Sequence, residues 1–440
     1  MIARSTLSIY RLAIQLLLLG LRIASALGHA KAKRAWCGRK GQHHRLLAAA
    51  GRVSNNGRSG PWVHFHCASL GEFEQGAPVI RSMRERNPDA PILLTFFSPS
   101  GMEGVQAPWV DHIDYLPFDT HGSMRQFYRT LDISDTVLVK YELWPEMIEA
   151  AHRNGTRLHL ITARFDPGRH PLGPWGGFIR SRLSLFFSIQ VQDRCSADAL
   201  ESHGLAALIT GDPRADRVIS TSRDPLPGSL QTCLDRIRTW KGDRKLIVVG
   251  SAWPAEWNAL RDIARNHAGW AVLFAPHETG HPRVRQWAET TSTALWSQLQ
   301  DSIDRNLILD EMGILKVAYG LADLAVVGGG WGHGVHNVLE PAAFGIPILC
   351  GPRIAGFREI EALRNVQALK VCDDGDALSD ACSHWMAQGA DRRRAGAAAL
   401  DWLRTQEGAA DRITSILDAC LLYTSPSPRD ATLSRMPSSA

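Results

Sequence analysis

The sequence predicts an α/β protein of two tandem units, each a parallel sheet covered by helices, with an apolar helix at the N-terminal end. Three observations predict it. Short apolar runs alternate with amphipathic stretches of helical length through residues 62–192, and the same alternation restarts after residue 243. A Pro-, Gly- and Ser-containing stretch, residues 221–230 (TSRDPLPGSL), separates the two sets. With 440 residues, 45% hydrophobic and 21% charged, the chain is long enough for two cores and has an ordinary globular composition.

At the N-terminal end, residues 12–21 read LAIQLLLLGL between Arg11 and Arg22. A spanning helix needs roughly 20 apolar residues. Residues 7–27 reach that length only by including Arg11, Gln15 and Arg22, the arginines being able to snorkel. An interfacial or shallow anchor helix is the preferred reading; a full span and a cleaved signal peptide stay open. Eleven Lys or Arg and no Asp or Glu precede Glu72, so with a net charge of +5 overall the remainder carries −6. A basic run beside an apolar helix selects anionic lipid over nucleic acid as partner. It also places the body on the cytoplasmic side by the positive-inside rule. The eight cysteines are scattered, without CxxC or other metal-ligand spacing, and read as free thiols in a reducing compartment.

Strands are expected at 62–67, 92–97, 136–140, 158–161 and 188–192 in the first unit. In the second they are expected at 246–249, 271–275, 307–309, 324–327 and 348–350. Ligands of such sheets bind beyond the carboxyl ends of the strands, so the residues following each strand are the candidates for chemistry. After the first strand comes Cys67-Ala68-Ser69-Leu70-Gly71-Glu72, where Ser69 and Gly71 permit a tight turn and Glu72 starts a helix. Two roles are open for Glu72: capping that helix, or acting as a general base toward a hydroxyl. Lys140-Tyr141-Glu142-Leu143-Trp144-Pro145 follows another strand; Lys140 and Glu142 are either a salt bridge or a cation and an orienting carboxylate.

In the second unit, Gly328-Gly329-Gly330-Trp331-Gly332-His333-Gly334 leads into His336-Asn337-Val338-Leu339-Glu340-Pro341. Such a run lets the backbone approach a ligand, and Asn337 with Glu340 suits a ribose diol and phosphate. It fits neither a dinucleotide fingerprint nor a P-loop, and His333 with His336 is weak evidence for a metal site. Ser251, in Gly-Ser-Ala-Trp-Pro, is a phosphate candidate. His277, in Ala-Pro-His-Glu, and Arg214, in Gly-Asp-Pro-Arg-Ala-Asp, complete the strand-end set.

Taken in order, the anchor with its basic follow-on, ASLGE, YELWP, GDPRADRV, GSAWP, APHE, DEMGIL and HNVLEPAAFG resemble the 3-deoxy-D-manno-octulosonic acid (Kdo) transferase family. The resemblance runs to about residue 419, and ASLGEFEQG, VKYELWP and GGGWGHGVHN look similar to its Bacteroidetes-type branch. It implies a GT-B-type fold, with two Rossmann-like domains facing across a cleft. It implies an inverting, metal-independent transfer of Kdo from CMP-Kdo to the 6′-hydroxyl of a lipid A precursor (lipid IVA) in lipopolysaccharide synthesis. No cofactor is implied. Carried over residue by residue, it makes Glu72 the catalytic base and Glu142 a second catalytic acid. Glu340 becomes the ribose contact, with Asn337 beside it. Ser69, Gly71, Lys140, Arg214, Ser251, His277 and Gly330 are the further substrate or donor contacts expected.

His277-Glu278 departs from the Arg-His frequent in relatives, which puts one donor contact in doubt. Pro213 and Ala215 depart at the hinge. The expected division is an anchor and basic segment at 1–45, an acceptor domain at 46–220, a linker at 221–243 and a CMP-Kdo-binding domain at 244–419. Residues 420–440 read as a translated sequencing adapter. The expected location is the cytoplasmic face of the bacterial inner membrane. Another GT-B transferase with a different nucleotide sugar, or a non-catalytic nucleotide-binding membrane protein, are the alternatives.

Overall fold

A computed structural model of the chain describes residues 2–58, 60–174, 176–299, 305–332 and 334–422. The chain forms two compact units, Met1–Asp216 with Gly408–Ala440, and Arg217–Glu407. Each is a Rossmann-like layer structure of seven parallel strands with helices on both faces, the architecture of the GT-B class.

The first unit contains β1 (Trp62–Cys67), β2 (Ile92–Phe96), β3 (His112–Tyr115), β4 (Ile133–Val139), β5 (Arg157–Ala163), β6 (Ser188–Val191) and β7 (Leu208–Ile209). Their spatial order is β3-β2-β1-β4-β5-β6-β7. The chain winds outward from β1 to β3, then crosses back to β4 on the other side of β1. The direction of winding therefore reverses between β1 and β4, where such sheets open a crevice. β1 and β2 are buried at every position, as expected for parallel strands covered on both faces. Val63, Phe65 and Cys67 pack with Val79, Ile80 and Met83 on one face of the sheet. The opposite face packs on Leu46, Met124, Phe127, Tyr128 and Met147.

The second unit contains β8 (Lys245–Ala252), β9 (Trp270–Pro276), β10 (Ala294–Leu295), β11 (Asn306–Ile308), β12 (Leu324–Val327), β13 (Ile348–Cys350) and β14 (Leu369–Val371). Their order is β10-β11-β9-β8-β12-β13-β14, so here the winding reverses between β8 and β12. All ten strands expected from the sequence occur. The four that were not expected lie toward the sheet edges. β7 and β10 have two residues each, β14 (LKV) carries an exposed Lys, and β3 (HIDY) buries a carboxylate that looks polar in sequence.

Three expected boundaries change. The limit at residue 45 falls inside the helix Gln42–Asn55, whose Leu46, Ala49 and Val53 enter the core of the first unit. The expected linker at 221–243 is mostly helical: Arg214–Arg223 runs into it, and Gly228–Lys241 buries Ile237 and Trp240. Its turn residues, Asp224 to Pro227, only punctuate two helices. The last helix, Ala409–Leu422, packs through Ala410, Ile413 and Leu417 on the core of the first unit, not the second. Asp216 captures its start by accepting from the N–H groups of Gly408 (2.5 Å) and Ala410 (2.7 Å). Of the expected adapter segment, residues 423–440 lie outside the described residues.

The basic N-terminal segment is tied into the body. Arg45 pairs with buried Asp114 (2.7 Å), Arg34 with Glu103 (2.7 Å) and Arg58 with Asp111. The Arg39 guanidinium donates to the carbonyls of Leu116, Phe97 and Ala35 and lies over the rings of Phe97, Tyr115 and Phe118. Burial pulls it down to about 10. Of the basic run from Lys31 to Arg45, expected to lie against headgroups, Arg39 and Arg45 therefore serve the fold instead, while Arg34 and its partner stay exposed. In the helix Ile2–Ala26, Tyr10 donates to Asp119 (2.6 Å) and Arg11 to Glu146 (2.5 Å). Ile9, Leu12, Leu16, Leu17, Leu19 and Ile23 are exposed along it. Residues Thr6–Ala26 are long and apolar enough to cross a membrane, a test that signal sequences also meet.

Candidate functional site

In both units the expected residues gather where the winding reverses. In the first unit, Glu72 follows β1 and Lys140 and Glu142 follow β4, its hydrogen-bonded neighbour. The helix Leu70–Arg86 begins after Ser69, whose side chain makes no capping hydrogen bond. The Glu72 carboxylate instead reaches back across the helix start to the backbone N–H groups of Ala68 and Ser69. This is the reach-back arm of a capping box without its Ser69 partner, and it holds the carboxylate at the strand end. Burial and the charge of Glu142 push Glu72 up to about 7, against the pull of the Ala68 and Ser69 amides and of Lys140. A carboxyl poised there is suited to take a proton near neutral pH. Gly71 leaves open space on its outer side, its nearest neighbour for an added Cβ being Ser69 Oγ at 3.9 Å.

Glu142 accepts from the indole N–H of Trp144 (2.6 Å), and Trp144 stacks on Phe97 at 4.7 Å. Its other neighbour is buried His66, with Nε2 3.5 Å from the carboxylate. Lys140 holds a left-handed backbone (φ 72°), which a β-carbon disfavours; residues kept in such strain cluster at functional sites. Burial and the charge of Arg214 lower its ammonium, while Glu72 and Asp212 oppose that. Lys140 and Glu142 are therefore not a simple salt bridge: Lys140 responds to Glu72, and Glu142 is held by Trp144. Arg214 is itself gripped by Asp212 (2.6 Å).

In the second unit, Ser251 lies at the end of β8 with φ 52°, beside a register break between Gly250 and Ala252. The glycine run follows β12, the hydrogen-bonded neighbour of β8. A Cβ on Gly330 would sit 2.5 Å from the backbone of Gly351, and one on Gly328 would sit 2.2 Å from the Ser251 carbonyl. The glycines are thus required for close backbone approach within the unit itself. Buried Glu256 holds the run by accepting from Gly329 N–H (2.8 Å) and Trp253 N–H (2.9 Å), and burial raises its carboxyl. His277 stacks on both Trp253 (4.8 Å) and His336 (4.5 Å), and those two rings meet each other, the Trp253 indole donating to His336 (3.3 Å). His336 is thereby part of an aromatic stack, while His333 lies outside the described residues. Asn337 donates to Glu340 (3.2 Å) and accepts from Leu339 N–H, which orients that carboxylate.

The structure therefore brings Ser69, Gly71, Glu72, Lys140, Glu142 and Arg214 together in the first unit. It brings Ser251, His277, Gly330, Asn337 and Glu340 to the strand ends of the second. Sequence reasoning missed His66, Trp144, Trp253 and Glu256. Glu256 had a signal: it stands three residues after the helix-starting Trp253, where a capping-box Glu belongs.

Residues 39–217 match the family described as 3-deoxy-D-manno-octulosonic-acid transferase (kdotransferase). The 3-deoxy-D-manno-octulosonic acid transferase of Haemophilus influenzae is 28% identical over 377 residues, 81% of this chain and 86% of that protein. The Bordetella pertussis protein of the same name is 25% identical over 393 residues, with the same shares covered. Among solved structures, UDP-GlcNAc 2-epimerase from Neisseria meningitidis bound to UDP-GlcNAc superposes with a TM-score of 0.61 at 13% identity. That match covers 81% of this chain and 99% of the epimerase, and speaks for the fold alone.

Proposed function

As a relative of the Kdo transferases over four-fifths of its length, this chain is, we propose, an inverting glycosyltransferase that moves Kdo from CMP-Kdo to the 6′-hydroxyl of a lipid A precursor (lipid IVA). The observation that carries this reading is Glu72, held at the winding reversal of the first sheet and pushed up to about 7 beside Glu142. Glu72 removes the hydroxyl proton, and the freed oxygen attacks the anomeric carbon of Kdo. The bond to CMP breaks on the opposite face, so configuration inverts and CMP leaves with the electron pair.

Glu142, fixed by Trp144, orients the acceptor. Lys140 and Arg214 supply positive charge as negative charge develops. Ser251, Gly330, His277, Asn337 and Glu340 bind the donor, Glu340 taking the ribose diol. The mechanism uses no metal ion or cofactor. The exposed apolar stripe of Ile2–Ala26 holds the enzyme to anionic lipid on the cytoplasmic face of the inner membrane, where the acceptor lies. Incubation with CMP-Kdo and a tetra-acylated lipid A precursor, followed by product mass, tests the assignment. Product gaining one or more Kdo units is expected, with inhibition by CMP and none by UDP; no mass gain would overturn it.

A further inference from the structure

β1 places His64 and His66 on one face of the sheet, and both are fully buried. His66 Nδ1 lies 3.1 Å from the Thr95 carbonyl oxygen and 2.9 Å from the Thr95 hydroxyl. A carbonyl oxygen can only accept, so Nδ1 carries hydrogen. The Thr95 hydroxyl is then available to His64 Nε2 at 2.8 Å, and His64 Nδ1 reaches Thr136 (3.3 Å). That assignment leaves His66 Nε2 buried and without a hydrogen-bond partner, 3.5 Å from the Glu142 carboxylate. A bare imidazole lone pair facing a carboxylate is repulsive; one added proton between them turns the contact into a charge-assisted hydrogen bond.

We infer that Glu142 and His66 jointly hold one proton, and that His66 is a positioning residue which neutralises Glu142 and so sets the charge facing Glu72. The inference rests on Glu72 being the base. His66 meets His64 along its own strand, Thr95 from β2 and Glu142 from the segment after β4. Glu72, Lys140 and, behind Lys140, Arg214 and Asp212 complete the charged surroundings of that carboxylate. A charged Glu142 adds to burial in holding Glu72 above the ordinary carboxylate range; the proton shared with His66 relieves the part that Glu142 contributes. With the imidazole gone, the shared proton is lost and Glu142 presents a full negative charge to Glu72. Glu72 then gives up its proton less readily, and turnover requires a higher pH.

The test is the pH profile of kcat for the full-length enzyme with CMP-Kdo and lipid A precursor, in wild type, His66→Asn, His66→Gln and Glu72→Gln. Asn keeps an N–H near the Thr95 carbonyl but does not reach Glu142; Gln reaches Glu142 without being able to take a charge. Folding of each variant is checked by circular dichroism. In His66→Asn the acid limb should move upward by about one pH unit, the usual scale for an uncovered neighbouring charge, with the KM for CMP-Kdo unchanged. His66→Gln should move it less. A folded His66→Asn enzyme with the wild-type limb, alongside an inactive Glu72→Gln, overturns the role of His66 alone. Near-normal turnover by Glu72→Gln overturns the base assignment and this inference with it. Should His66→Asn not fold, ¹⁵N-histidine NMR of the wild type decides. An Nε2 that is protonated or hydrogen-bonded at neutral pH supports the shared proton, and a bare one refutes it.

Discussion

The two units use the same sheet and the same reversal of winding to gather different side chains. In the first, the strand ends collect ionisable groups, Glu72, Glu142, Lys140 and His66, and burial shifts Glu72 and Lys140 from their ordinary ranges. In the second, the corresponding strand ends collect glycines and rings. The carboxylate buried there, Glu256, is spent on holding backbone N–H groups. The lesson is that one architecture can carry two kinds of strand end: those of the first unit perturb protons, and those of the second offer shape and stacking. Both strain their backbone at the same place, Lys140 and Ser251 each adopting a left-handed conformation at the end of a strand beside the reversal.

This contrast can be broken or sharpened by substitution. Glu72→Gln should lower kcat by about 10²-fold or more with little change in donor KM, measured by Kdo transfer. An equal loss in donor affinity would blur the division. Gly330→Ala should act on the other side, forcing a Cβ against the Gly351 backbone. It should destabilise by about 1–3 kcal/mol in urea unfolding and raise the KM for CMP-Kdo.

A subtler effect concerns pH. A carboxyl that titrates higher in the folded than in the unfolded chain costs stability as pH rises from its unfolded value of 4.5 through about 7. Glu72→Gln should therefore be more stable than wild type at pH 8, by about 1–2 kcal/mol, and near neutral in effect at pH 4. Equal stabilities at pH 8 would show that the strand end does not perturb this group. The smallest effect is expected from Tyr10→Phe, which removes the hydrogen bond to Asp119. It should cost about 0.5–1.5 kcal/mol in unfolding while leaving the pH profile of kcat in place.

Much of this division was legible in the sequence, because strand ends are marked by abrupt changes from apolar runs to Gly, Ser, Glu and Lys. Glu72, Lys140, Glu142 and the glycine run were found on that signal alone, and all sit beside a reversal of winding. What stayed hidden depends on contacts between distant segments. His66 reads as one more strand residue until β2 and the segment after β4 close around it. Arg39 and Arg45 look like surface charges beside a membrane helix until the Leu116 carbonyl and Asp114 arrive from far along the chain. The short edge strands β7 and β10 were missed because two residues carry no period.

The chain's return to its first unit has a practical consequence. A fragment ending at Asp216 would carry all seven strands of the first sheet, yet it would lack Ala410, Ile413 and Leu417, which cover Val79, Ile80 and Met83. It would also lose Asp411 and Asp418, the counter-ions of Arg86 at the far end of the helix that presents Glu72. Dissecting this protein into independently expressed halves therefore calls for grafting the last helix back onto the first fragment, since a cut at the apparent midpoint strips a wall from the first unit.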